Sequence, residues 1–88
     1  MRTAMCRYRF ADSVGFEEVE DSLMLAALAA ESIYGRSRIR LEARFSLDRV
    51  ERECRIETQT RVGQDLARIF TGLLAHQFGE SAFVLETV

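Results

Sequence analysis

The sequence predicts a small α+β sandwich, a single domain over residues 1–88 in which strands and helices follow the order βαββαβ. Two observations lead there. Apolar residues recur at every second position in some segments and at every third or fourth position in others, so the chain changes period along its length. It is also 48% hydrophobic, with its 30% of charged residues interspersed rather than blocked, which supports one modest core and argues against intrinsic disorder.

Ala4 to Phe10 alternates Cys6, Tyr8 and Phe10 with Met5, Arg7 and Arg9, the pattern of a strand with its aromatic side buried. Asp12, Ser13 and Gly15 interrupt it and offer oxygens for capping a helix. From Phe16 the spacing is helical, with Phe16, Val19, Leu23, Ala26, Ala27, Ala30 and Ile33 on one stripe that Met24 and Leu28 widen. Glu17, Glu18, Glu20 and Asp21 crowd the end where the helix dipole favours anions, and Gly35 stands where a C-terminal cap belongs.

Ser37 to Thr60 predicts a half-buried antiparallel hairpin. Ile39, Leu41, Ala43, Phe45 and Leu47 alternate with Arg38, Arg40, Glu42, Arg44 and Ser46, and beyond the turn Cys54, Ile56 and Thr58 alternate with Arg55, Glu57 and Gln59. The turn, Asp48 to Arg52, has neither glycine nor asparagine, so a loop of four or five residues is expected. Thr60 is placed to cap a second helix from Arg61 to Phe78 with Val62, Leu66, Ile69, Phe70, Leu73, Leu74 and Phe78 on one side; Gly63 and Gly72 call for a packing reason. Gly79 ends it, and Ala82 to Val88 reads as a last strand.

Composition excludes several function classes. A net charge of -2 gives no bulk attraction to nucleic acid or membrane. All twelve basic residues are arginine, and the absence of lysine excludes Schiff-base and lysine-nucleophile chemistry. Leu23 to Ala30, the longest apolar run, is far short of the ~20 residues of a membrane span, and Met1 to Phe10 lacks the apolar core of a signal peptide. A cytoplasmic protein with reduced thiols and no membrane association is expected.

Six elements in this order resemble the ferredoxin-like split βαβ plan, four antiparallel strands in spatial order 4-1-3-2 with both helices on one face. The resemblance is one of topology and implies no activity. Signatures of the plan's functional subclasses are missing: no CxxC loop as in heavy-metal-associated domains, and no asparagine as in acylphosphatases. The open face of the first and third strands carries Met5, Arg7, Arg9, Arg55, Glu57 and Gln59 where RNA-recognition domains carry stacking aromatics. Two separated cysteines and the single His76 have no metal-ligand spacing, so no metal or cofactor is expected. Ser81, His76 and Asp65 have no spacing specific to nucleophilic catalysis, and enzymatic activity is not expected.

Pairing buried residues with buried residues sets Cys6 opposite Thr58, Tyr8 opposite Ile56 and Phe10 opposite Cys54. The two cysteines are then ~13 Å apart along the strands, too far for a disulfide, and are expected to be reduced and buried. With Phe45 opposite Cys54, residues Arg9, Arg55 and Arg44 form a transverse arginine row on the open face, beside a row of Arg7, Glu57 and Glu42. Like charges directly opposite one another destabilise a sheet. Such a row is compensated by its diagonal neighbours, meets the acidic row of a second copy across a twofold axis, or holds an anion such as a phosphate or nucleic-acid backbone. The expected function is a small non-enzymatic protein-interaction or homo-oligomerising module, a homodimer or the partner of another protein, with Arg7, Arg9, Arg40, Glu42, Arg44, Arg55 and Glu57 at its interface. The alternative is anion or nucleic-acid binding through the arginine row.

Overall fold

The computed structural model describes residues 4–88; residues 1–3, the start of the stretch read for a signal peptide, lie outside the described residues. Strand β1 (Met5–Phe10) is followed by helix α1 (Phe16–Tyr34), helix α2 (Arg36–Glu42), strands β2 (Phe45–Asp48) and β3 (Glu53–Glu57), helix α3 (Arg61–Phe78), a 3-10 turn (Glu80–Ala82) and strand β4 (Phe83–Thr87). The strands form one antiparallel sheet in the order β2-β3-β1-β4, which is 4-1-3-2 read from the other edge.

Alternation along β1 and β3 turns Tyr8, Phe10, Cys54 and Ile56 to one face of the sheet, where they join Phe16, Val19, Leu23, Leu66, Phe70 and Leu74 of α1 and α3 in the core. Tyr8 is fully buried there, edge-on to Phe70 with 5.0 Å between ring centroids. Its hydroxyl is 2.7 Å from Thr71 Oγ1 and 3.1 Å from the Ala67 carbonyl, so its polar end is satisfied inside the core. Ser22 is buried too, donating to Gln77 Oε1 at 2.8 Å and tying the two long helices together.

Local chemistry fixes the ends of α3. Thr60 Oγ1 accepts the Gly63 N–H at 3.0 Å, and Gly79 closes the helix in a left-handed conformation at φ 85°. Gly63 is required by contact: a Cβ there would lie 2.0 Å from the Glu57 carbonyl oxygen, so only glycine lets the first turn of α3 sit on the end of β3. Gly72 has no such constraint, since a Cβ there would meet nothing within 4 Å.

Four expectations require correction. Residues 36–42 form α2, not the first half of a hairpin, and β2 is limited to Phe45–Asp48. The two-residue period there rested on Ile39 and Leu41, and it is outweighed by contacts only a helix provides: Arg38 Nε donates to Glu42 Oε2 at 2.8 Å one turn away, and the Arg38 guanidinium lies 4.8 Å from the centroid of the Tyr34 ring. Second, the register of β1 on β3 and of β2 on β3 is displaced by two residues from the expected one, with Cys6 opposite Ile56, Tyr8 opposite Cys54 and Phe45 opposite Ile56. Third, Asp12 and Ser13 do not cap α1; Gly15 occupies the cap position and no side chain bonds there. Fourth, Met24, Leu28 and Ile33 are exposed, because one side of α1 is enough to cover the sheet.

The β2–β3 loop has four residues, Arg49–Arg52, within the expected length. Asp48 Oδ1 accepts the Glu51 N–H at 3.0 Å, and Arg52 closes the loop in the left-handed region at φ 55°. Arginine serves there instead of glycine because its guanidinium donates to the carbonyls of Ala11 and Val14, which ties this loop to the one ahead of α1.

Candidate functional site

The face of the sheet opposite the helices is where the sequence places its charges, and the observed register decides which of them meet. A displacement of two residues keeps every side chain on its face but changes every neighbour. Arg9 lies opposite Glu53, which lies opposite Asp48; Arg7 lies opposite Arg55, which lies opposite Ser46. The expected row of Arg9, Arg55 and Arg44 does not form.

Glu53 organises what forms instead, and the sequence reading missed it. Its carboxylate accepts from Arg9 Nε at 2.9 Å and from Arg55 at 3.1 Å, and only 5% of the residue is exposed. Burial pushes this carboxyl up, but the hydrogen bonds from Arg9 and Arg55, with their positive charge, push it down further, and it ends below the ordinary carboxylate value. Arg7 lies opposite Arg55 but turns away from it, donating to Glu86 Oε1 of β4 at 2.9 Å. The like-charged pair is thus separated, each arginine being held by its own carboxylate. Charge pairing between β1 and β3 could not have found this register, since both it and the alternative set one arginine of β1 against an acid and the other against Arg55.

The remaining expected site residues scatter. Glu42, Arg44 and Glu57 line a small cleft of about 220 Å³ with Leu41, Gln59 and Thr60. Arg44 and Glu57 also line a shallow depression of about 280 Å³ that reaches Arg55 and Met5. Arg40 is exposed on α2, off the sheet altogether, and Glu42 is drawn to Arg38 on the same helix. Arg38 holds the Glu42 carboxyl below its usual range.

A larger groove, about 550 Å³, opens on the helix side between Cys6 of β1 and Ala67, Arg68, Thr71 and Gly72 of α3. Burial pushes the Cys6 thiol above its ordinary value and pushes Cys54, in the core, up to about 12. Both are therefore neutral thiols at physiological pH rather than nucleophiles. Both are free, and the observed register makes them diagonal neighbours two residues apart along the strands, closer than expected but at the roughly 7–8 Å that exceeds disulfide reach. Cys6 is only half-buried, because it borders the groove.

Among the described residues no hydrogen bond joins Asp65, His76 and Ser81; the Asp65 carboxylate accepts the Tyr34 hydroxyl, and His76 is exposed in the last turn of α3. No three His, Cys, Asp or Glu side chains among the described residues are grouped to hold a metal ion, and no helix there is long and apolar enough to cross a membrane. Comparison with family models, with curated proteins and with solved structures found no match to this chain.

Proposed function

We propose that this chain is a non-enzymatic protein-interaction module that associates with itself, built on a ferredoxin-like sandwich to which α2 is an added helix. The observation that carries the reading is the open sheet face. It is broad, no helix among the described residues covers it, and its charges balance: Arg7, Arg9, Arg44 and Arg55 stand with Asp48, Glu53, Glu57 and Glu86. Mixed charges of this kind suit a protein surface, above all a second copy with the same alternation. Apolar side chains stand among them, Val84 and Val88 each 62% exposed. Two free, neutral thiols fit a cytoplasmic setting.

Anion or nucleic-acid binding is the weaker reading, because Arg7, Arg9 and Arg55 already bond to carboxylates of the same chain. An incoming phosphate would compete with Glu53 and Glu86 at close range. Light scattering in moderate salt across a wide protein concentration tests the proposal. It is supported by a mass rising from 10.1 kDa toward twice that value, and it falls if the chain stays monomeric throughout; binding of a labelled oligonucleotide with the steep salt dependence of phosphate contacts would then favour the anion reading.

A further inference from the structure

β4 is an outer strand of the sheet, and among the described residues its free edge lacks the features that keep edges from pairing. Phe83–Thr87 holds one charged side chain, Glu86, and that carboxylate is engaged by Arg7. Val84 is exposed, and so is Leu85, which has no place in the core cluster. The opposite edge, β2, is shorter and carries Ser46 and Asp48, with Arg44 and Arg49 at its two ends.

The backbone is more specific than the side chains. Met5 and Val88 exchange N–H···O bonds of 3.0 and 2.7 Å. In an antiparallel ladder such mutually bonded pairs recur at every second residue, so Arg7 bonds with Glu86 and Arg9 with Val84. The N–H and C=O groups of Phe83, Leu85 and Thr87 therefore point away from β1, toward solvent.

We infer that two copies of this chain join edge to edge through β4, antiparallel about a twofold axis at Leu85. The inference rests on the self-association reading but moves its surface from the open face to the sheet edge, leaving the face for another protein. Centred there, Leu85 faces its own counterpart and Phe83 faces Thr87 of the second copy in both directions, so every outward N–H meets an outward C=O. No other centre on the strand matches all three residues. On the helix side the pairing covers Leu85, which is exposed in the single chain. On the open side Val84 meets Glu86 of the second copy, and the two charged faces become one. Five residues of edge bury less than the ~1,200–2,000 Å² of a tight complex, so the dimer forms reversibly and its mass depends on concentration.

Sedimentation equilibrium on the wild-type chain and on two variants tests this, with circular dichroism to verify folding. Leu85→Pro deletes an outward N–H while sparing the bonds to β1, because proline is tolerated where the N–H faces solvent. Leu85→Lys sets two cations opposite each other at the axis. Each is expected to raise the dimer dissociation constant at least about tenfold, more than 1 kcal/mol of association energy. If Leu85→Pro fails to fold, Leu85→Lys decides. A dimer that survives Leu85→Lys unchanged overturns the edge pairing and leaves self-association through another surface, such as the outward Met24, Leu25 and Leu28 of α1. A wild-type chain that is monomeric into the millimolar range overturns both.

Discussion

Glu53 is the residue on which the open face turns, because it brings Arg9 and Arg55 together where like charges would otherwise repel. Its carboxyl titrates below the ordinary value in the folded chain. A group so lowered contributes stability that is present above its unfolded pKa, roughly 4.3, and is lost as pH falls through the folded value. Glu53→Gln is therefore expected to lower the urea midpoint at pH 7 and to narrow its difference from wild type as pH falls below about 4; a difference that does not change with pH would contradict the assignment. A second expectation concerns Cys54, whose thiol is buried and held neutral. At pH 8 it is expected to react with a thiol reagent only as fast as the chain opens, while Cys6 reacts earlier from the rim of its groove. Cys54 could be read from its place in an apolar alternation. Glu53 could not, because it begins its strand beside a turn and carries the charge expected of a loop.

At the scale of elements, period and capping residues were enough for β1, β3, α1 and α3, each of which has either an aromatic or branched alternation or a capping residue in place. α2 was misread because seven residues hold two apolar side chains, too few to define a period, and because its support comes from Arg38 reaching Glu42 and Tyr34. The register of the strands was misread for a different reason: a slip of two leaves the hydrophobic pattern intact, so the core comes out right and the charge rows come out wrong. α3 allows a paired test of the close-approach argument. Gly63→Ala is expected to destabilise by ~1–3 kcal/mol, because its methyl group meets the Glu57 backbone, which cannot move aside. Gly72→Ala has open space and is expected to stabilise by about 1 kcal/mol through helix propensity alone. Denaturant midpoints of the two variants should move in opposite directions.

For the whole molecule, the α+β class and the sheet with one uncovered face were legible in the sequence, since they follow from alternation and element order. The surface proposed for self-association was not. It depends on which strand ends at the edge and which backbone groups that edge leaves unbonded, and neither is written in side-chain chemistry. The proposed pairing of two copies through β4 would give one eight-stranded sheet with all helices on one side and one mixed-charge face on the other, leaving that face available to a further protein. Amide hydrogen exchange along β4, followed residue by residue at low and high protein concentration, tests this most directly. Val84, Glu86 and Val88 are expected to be protected at both, while Phe83, Leu85 and Thr87 exchange freely when dilute and become protected as the chain associates. If those three amides exchange freely at concentrations where the mass has doubled, the chains do not meet at this edge.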